Sequence, residues 1–142
     1  MKSVKQLIEH KTLKLLKINP DSTVYDALKL MAENDVGALV VIDRNELIGI
    51  FSERDYARKV ILHGKSSRDT HVKEIMTTKV MYVGPENTVD ECMALMTQKR
   101  IRHLPVMETN QVTGMISIGD IVKEKLSDQQ FIIDQLEQYI KC

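Results

Sequence analysis

Laid over itself at an offset of 65 residues, the chain matches: Ile18–Val60 falls on Val83–Lys125 without a gap. Eleven of the 43 pairs are identical, and they are spread evenly: Pro20/Pro85, Thr23/Thr88, Val24/Val89, Leu30/Leu95, Met31/Met96, Leu39/Leu104, Val41/Val106, Asn45/Asn110, Gly49/Gly114, Ser52/Ser117 and Asp55/Asp120. A shorter echo precedes each copy, where Val4-Lys5-Gln6-Leu7-Ile8 resembles Val72-Lys73-Glu74-Ile75-Met76. Shared amphipathic pattern alone does not produce identities this dense. A unit this short cannot bury a stable core by itself. Two pseudo-symmetric units packed face to face are therefore the architecture to expect.

Each unit reads β-α-β-β-α, an α/β (α+β) pattern. Leu13–Ile18 and Val80–Val83 are short, β-rich and followed closely by proline, which favours a strand ending in a turn. Thr23, Val24, Ala27, Leu28, Leu30 and Met31 then recur at helical spacing, as do Val89, Cys92, Met93, Leu95 and Met96. Met31, Met93 and Met96 are expected in the core. Ala38–Ile42 and Leu47–Phe51 form a hairpin around the polar turn Asp43-Arg44-Asn45-Glu46, repeated by Leu104–Met107 and Val112–Ile116. Ser52 and Ser117, each with Asp three residues on, cap helices expected to end near His63 and Leu126. The division expected is a first repeat at 1–64, a linker at 65–71, a second repeat at 72–127 and a separate amphipathic C-terminal helix at 128–142.

Composition narrows the function. Lys+Arg and Asp+Glu balance at 20 each, so no overall field draws the chain to nucleic acid or an anionic membrane. Six aromatics and no Trp offer little for base stacking. No apolar run approaches a membrane span, and the first residues lead into no apolar signal core, so a cytoplasmic protein is expected. Cys92 and Cys142 make neither a disulfide framework nor a zinc spacing. His10, His63, His71 and His103 fall on different elements, with no HExxH, GxSxG, Walker or GxGxxG motif. No catalytic residue, catalytic cofactor or metal ligand is expected, and the chain reads as a non-enzyme.

One duplicated motif carries chemistry: Gly-x-x-Ser-x-x-Asp, at Gly49–Asp55 and Gly114–Asp120. It has two readings. Ser and Asp can form a capping box on a helix N-terminus, and nothing more. The same N-terminus also exposes N–H groups to an anion, and a carboxylate there can accept both hydroxyls of a ribose.

Val72-Lys73-Glu74-Ile75-Met76, then Pro-x-x-Thr-Val, then Arg102-His103-Leu104-Pro105-Val106, then Gly-x-x-Ser-x-x-Asp, in that order and duplicated, resembles a pair of cystathionine-β-synthase (CBS) domains, a Bateman module. The resemblance runs from about Val4 to Leu126, and the first unit's Gly37–Val41 and Phe51–Arg58 are similar to small stand-alone bacterial two-repeat proteins. It implies two CBS repeats packed through their sheets. It also implies a sensor that binds an adenosyl compound (AMP, ATP, NAD(H) or S-adenosylmethionine) between the repeats and reports it by a change of shape or assembly. A homodimer and an unidentified effector protein are the implied partners.

Carried over residue by residue, the resemblance implies a main cleft of Ser52, Arg54, Asp55 and Arg58 with Thr77, Thr78, Lys79, Val80, Ile101, Arg102 and His103. A second cleft would join Lys11, Thr12, Leu13, Val36, Gly37 and Ala38 to Ser117, Gly119 and Asp120. Arg54 and Arg58, at i and i+4, share a helix face, and arginine's fork suits phosphate. The phosphate-bearing ligand is therefore expected in the main cleft. The alternatives are a ligand-free interaction or dimerisation module and, less favoured, a nucleic-acid binder.

Overall fold

The computed structural model describes residues 2–9 and 15–141, the last without its side chain. In chain order the elements are α1 (Val4–Glu9), β1 (Lys17–Ile18), α2 (Val24–Asn34), β2 (Ala38–Asp43), β3 (Glu46–Ser52), and α3 (Glu53–Asp55), which continues as a π-helical segment (Tyr56–Ile61). Then follow α4 (Val72–Ile75), α5 (Val89–Lys99), β4 (His103–Glu108), β5 (Gln111–Ser117) and α6 (Ile118–Lys141).

Local chemistry repeats with the sequence. Thr23 accepts a hydrogen bond from the Asp26 N–H and starts α2; Thr88 does the same for Glu91 and starts α5. Both helices stop at a left-handed residue, Asp35 (φ 52°) and Arg100 (φ 55°), whose N–H returns to the carbonyl of Met31 or Met96. The hairpins turn through Arg44-Asn45 (φ 50° and 66°) and Thr109-Asn110 (φ 48° and 64°). Two successive positive φ values make a two-residue turn of the kind that matches strand twist. The loop is thus tighter than the four-residue turn expected, because Asp43 pairs with Glu46 and Glu108 with Gln111. A register shift falls after Val41 in one hairpin and after Val106 in the other.

Three expectations are corrected. The first strand of each unit is shorter than read: β1 pairs Ile18 with Val41 in parallel, and the second copy keeps only the bridge Val83–Val106. Leu13 and Lys14, the start of the expected first strand, lie outside the described residues. Met93 is 37% exposed, whereas Met31 and Met96 are buried. No helix ends at Leu126. Ser127-Asp128-Gln129-Gln130 contains neither Gly nor Pro to stop the turn, so α6 runs on for 24 residues and absorbs the expected separate tail helix.

The two echo segments change places. α1 precedes the first repeat but bonds to the second: Val4 N–H donates to Asn87 O (2.8 Å), Lys5 N–H to Pro85 O (3.0 Å), and Val89 N–H to Lys2 O (3.0 Å). α4 mirrors this on the first repeat, with Val72 N–H to Ser22 O (2.9 Å), Lys73 N–H to Pro20 O (3.0 Å) and Val24 N–H to Thr70 O (2.8 Å). The cores follow the bonds. Val72 and Ile75 join Val24, Met31, Leu39, Val41, Phe51 and Val60 in one. Val4 joins Val83, Val89, Cys92, Met96, Leu104, Val106, Ile116 and Ile121 in the other. A fully buried valine contributes about 1.5–3 kcal/mol, so neither exchange is incidental. The linker is docked as well: Tyr25 N–H donates to Ser67 O (2.9 Å), and the Arg68 guanidinium lies 4.2 Å from the Tyr25 ring centre. Where the units face each other, β3 and β5 meet.

Candidate functional site

A cleft of about 610 Å³ opens where α3 and the π-helical segment face the end of α5 and the start of β4, with residues 77–81 along one side. Ten of the eleven residues expected there line it: Ser52, Arg54, Asp55, Arg58, Thr77, Lys79, Val80, Ile101, Arg102 and His103. Thr78 does not. It lines a separate hollow near the two hairpin turns, with Tyr82, Met107 and Asn110.

Asp55 anchors the cleft. Its Oδ2 accepts from the Ser52 N–H (3.0 Å) and the Ser52 Oγ–H (3.1 Å), while its own N–H donates to Ser52 Oγ (3.2 Å). The capping box is therefore made in full. Its Oδ1 accepts from Thr77 Oγ1 (3.0 Å) and pairs with Lys59 Nζ (2.9 Å). A carboxylate offers about four lone-pair positions, and this one, 8% exposed, uses four. A ribose hydroxyl reaching it must displace Thr77 or Lys59. Thr77 is held in turn by exchanging both backbone hydrogen bonds with Ile50 on β3 (3.0 and 2.9 Å).

Arg54 crosses the cleft: its Nη1 donates to the carbonyl of Arg100 (2.9 Å), the left-handed residue that ends α5. That contact ties the first repeat's helix to the second repeat's chain reversal. Between Arg54 and Arg58 the helix widens into its π-helical stretch, a rare conformation concentrated at functional sites. The matching stretch of α6 is α-helical.

Residues not foreseen also line the cleft: Gly37, Ile50, Glu53, Lys59, Met81, Lys99, Arg100 and Ile118. Two signals were available in the sequence. Lys59 stands four residues after Asp55, the spacing of a helical ion pair. Lys99-Arg100 runs directly into the expected Ile101-Arg102-His103. With them, Arg54, Arg58, Lys59, Lys79, Lys99, Arg100 and Arg102 line the cleft beside two acidic residues among those described, Glu53 and Asp55.

The second cleft, of about 400 Å³, is the pseudo-symmetric counterpart. Val36, Gly37, Ala38, Ser117 and Asp120 line it as expected; Gly119 does not, and Lys11, Thr12 and Leu13 lie outside the described residues. Ser117 N–H donates to Asp120 Oδ2 (2.8 Å) and Asp120 N–H to Ser117 Oγ (3.2 Å), so this capping box is made too. Among the described residues the remaining lining is mostly apolar, with Ile8 of the exchanged α1, Leu15, Leu16 and Met115, and its carboxylates are Asp35 and Asp120. Gly37 and His103 border both clefts, and a Cβ on Gly37 would sit 3.5 Å from the His103 ring. They form the partition between the two spaces. Among the described residues no helix is long and apolar enough to cross a membrane, and no three His, Cys, Asp or Glu side chains converge as a metal site.

The comparisons agree with this geometry. The family model described as "CBS domain" matches twice, at residues 4–62 and 72–127. CBS domain-containing protein CBSX3, mitochondrial, of Arabidopsis thaliana is 46% identical over 126 residues, which cover 85% of this chain and 61% of that protein. The chain thus spans about three fifths of that relative's length. The solved structure of a CBS-domain protein from Burkholderia ambifaria MC40-6 is 49% identical with a TM-score of 0.85, covering 90% of this chain and 96% of that one. The CBS domain pair of protein MJ0100, solved with 5′-methylthioadenosine and S-adenosyl-L-methionine, shares the fold at 22% identity and a TM-score of 0.80, covering 90% of this chain and 98% of that one. A duplicated capping box, one in each cleft, goes with a family model that matches both repeats, and the chain belongs to the CBS-domain family as a tandem pair.

Proposed function

We propose that the pair is a sensor that takes an adenine nucleotide, of the class of AMP, ATP or NAD(H), in the main cleft and transmits occupancy by a change of shape or assembly as a homodimer. The observation that carries this reading is the imbalance of charge in a space of about 610 Å³: seven Lys and Arg residues line it against two acidic ones. A cleft of that size fits a nucleotide, and a cluster of guanidinium groups recognises phosphate bidentately. MJ0100's adenosyl ligands support the base and sugar; the cationic lining favours an anionic member of that class over the sulfonium S-adenosylmethionine. Asp55 would receive the ribose by giving up the Thr77 hydroxyl or the Lys59 ammonium, and Arg54 would release the Arg100 carbonyl for phosphate. Occupancy would then loosen a tie between the repeats, which is the means of transmission. The second cleft keeps its carboxylate, and no Lys or Arg lines it among the described residues, so it would take the ligand more weakly.

Thermal unfolding with added nucleotides tests this. A ligand at a hundredfold excess over Kd stabilises the folded state by about 2.7 kcal/mol, a rise of roughly 10 °C for a domain of this size. AMP, ATP or NAD(H) should produce that rise, GMP and CMP much less, and pyrophosphate only a small shift. Arg54→Ala with Arg58→Ala should weaken AMP far more than adenosine. A flat response to every adenosyl compound, in protein shown to be ligand-free, would leave an interaction module with empty clefts as the better reading.

A further inference from the structure

The C-terminal part of α6 leaves the body of the protein. None of residues 128–140 belongs to either core, yet Phe131, Ile132, Ile133, Leu136, Tyr139 and Ile140 are all 46–82% exposed. So short a length of unsupported helix is marginal in water even with good helix formers, and this stretch carries three isoleucines and a tyrosine. It requires a covering surface.

Spacing along the helix identifies the cover. Val122, Leu126, Gln129, Ile133, Leu136 and Ile140 succeed one another in alternating steps of four and three, the seam of a two-stranded coiled coil. Val122 and Leu126 are also exposed, 50% and 61%, so the seam is open from the module outward. A partner for such a seam is a helix of the same period, and the chain supplies one in its own second copy. We propose that two copies join along this seam with their α6 helices antiparallel.

Charge sets the direction. The seam is flanked by Lys123 and Lys125 near the module and by Glu137 and Tyr139 near the far end. Antiparallel pairing that sets Leu126 opposite the partner's Leu136 places Lys123 beside the partner's Glu137, twice by symmetry. The same register brings Ile132 against the partner's Ile132. Parallel pairing would separate Lys123 from the partner's Glu137 by two heptads, about 21 Å, and press Ile132 against the partner's Glu137. The seam rests on the homodimer of the proposed function and gives it an interface, while the nucleotide and both clefts stand apart from it.

Sedimentation of the 142-residue chain at micromolar concentration tests it. The wild type should run at twice its 16.3 kDa, and Ile133→Asp with Leu136→Asp should reduce it to the monomer while leaving the unfolding transition of the module in place. Glu137→Lys should weaken the dimer about tenfold, and adding Lys123→Glu should restore it. A monomeric wild type overturns the proposal. So does a double aspartate variant that keeps the wild-type mass, which would mean the copies pair elsewhere. Failure of the charge swap to restore the dimer overturns the antiparallel arrangement.

Discussion

Asp55→Asn keeps the volume of the side chain and removes only its charge and half its acceptors. In the folded protein the carboxylate receives four donors: the Ser52 N–H, the Ser52 hydroxyl, the Thr77 hydroxyl and the Lys59 ammonium. An asparagine can turn its oxygen to Ser52, but those bonds become neutral and about half as strong. Its amide then faces the Lys59 ammonium donor to donor, and the Thr77 hydroxyl, which donated to a charged oxygen, can only accept from a neutral NH2. The Lys59 side chain is 43% exposed, so its loss is cushioned by solvent and costs at most about 1 kcal/mol. Thr77 is exposed, but its bond to the buried Asp55 is half-buried, and a hydroxyl bond to a charged acceptor is worth about 1.5–3 kcal/mol. The total is about 2–4 kcal/mol, or a fall in Tm of roughly 8–15 °C. Urea unfolding measures it, with an unchanged slope showing that the denatured state is the same. Ser52→Ala, which removes the cap but not the carboxylate, should cost about 1 kcal/mol. A loss below about 0.5 kcal/mol for Asp55→Asn would refute the assignment of four satisfied acceptors.

Gly49→Ala and Gly114→Ala separate the two repeats at an identical position. A Cβ at Gly49 would stand 2.7 Å from Met76 Sδ and 3.0 Å from the Thr77 carbonyl, whereas at Gly114 it meets the end of the Ile8 side chain; the first should therefore destabilise by about 1–3 kcal/mol and the second by less, as chemical unfolding would show. The N–H of Thr88 holds the Glu91 carboxyl below its ordinary range, and the N–H of His71 does so for Glu74. Both contribute stability that is complete above the unfolded carboxylate range and is lost as pH falls through their lowered values, so Glu91→Gln with Glu74→Gln should flatten the acid limb of Tm against pH below about 4.5. Burial pushes the Cys92 thiol up to about 11, and alkylation at pH 8 should modify it only on unfolding; rapid modification in the native protein would contradict its burial.

The duplication made most of this structure readable. Identical pairs such as Asn45/Asn110 and Ser52/Ser117 mark the turns and caps, where a particular side chain is needed for a local reason. Strand ends were harder: Val80–Tyr82 has β propensity, but nothing pairs with it until Val83 reaches Val106. The merging of α6 depended on the absence of a stop signal, which periodicity does not register. In the main cleft, residues brought in by matching motifs came out together, while Lys59, Lys99 and Arg100 were missed because each reads as an ordinary surface charge. Thr78, which the resemblance implies in the cleft beside Thr77, lines the separate hollow instead, because neighbouring residues of an extended segment point opposite ways.

The exchange of α1 and α4 means that a repeat's limits along the chain are not its limits in space. Cutting the chain at Gly64 would leave two halves that each carry the other's missing piece. Residues 2–9 could be trimmed from the N-terminus, and the damage would fall on the distant second repeat, where Val4 leaves a hole and the Ile8 wall of the second cleft is lost. Unfolding should accordingly proceed as one event, since neither half retains a closed core when the other opens. The same geometry says what a lone repeat would have to do: with only its own leading segment to offer, it could complete its interior by trading that segment with an identical molecule, and the tandem chain is that trade made permanent by a covalent link.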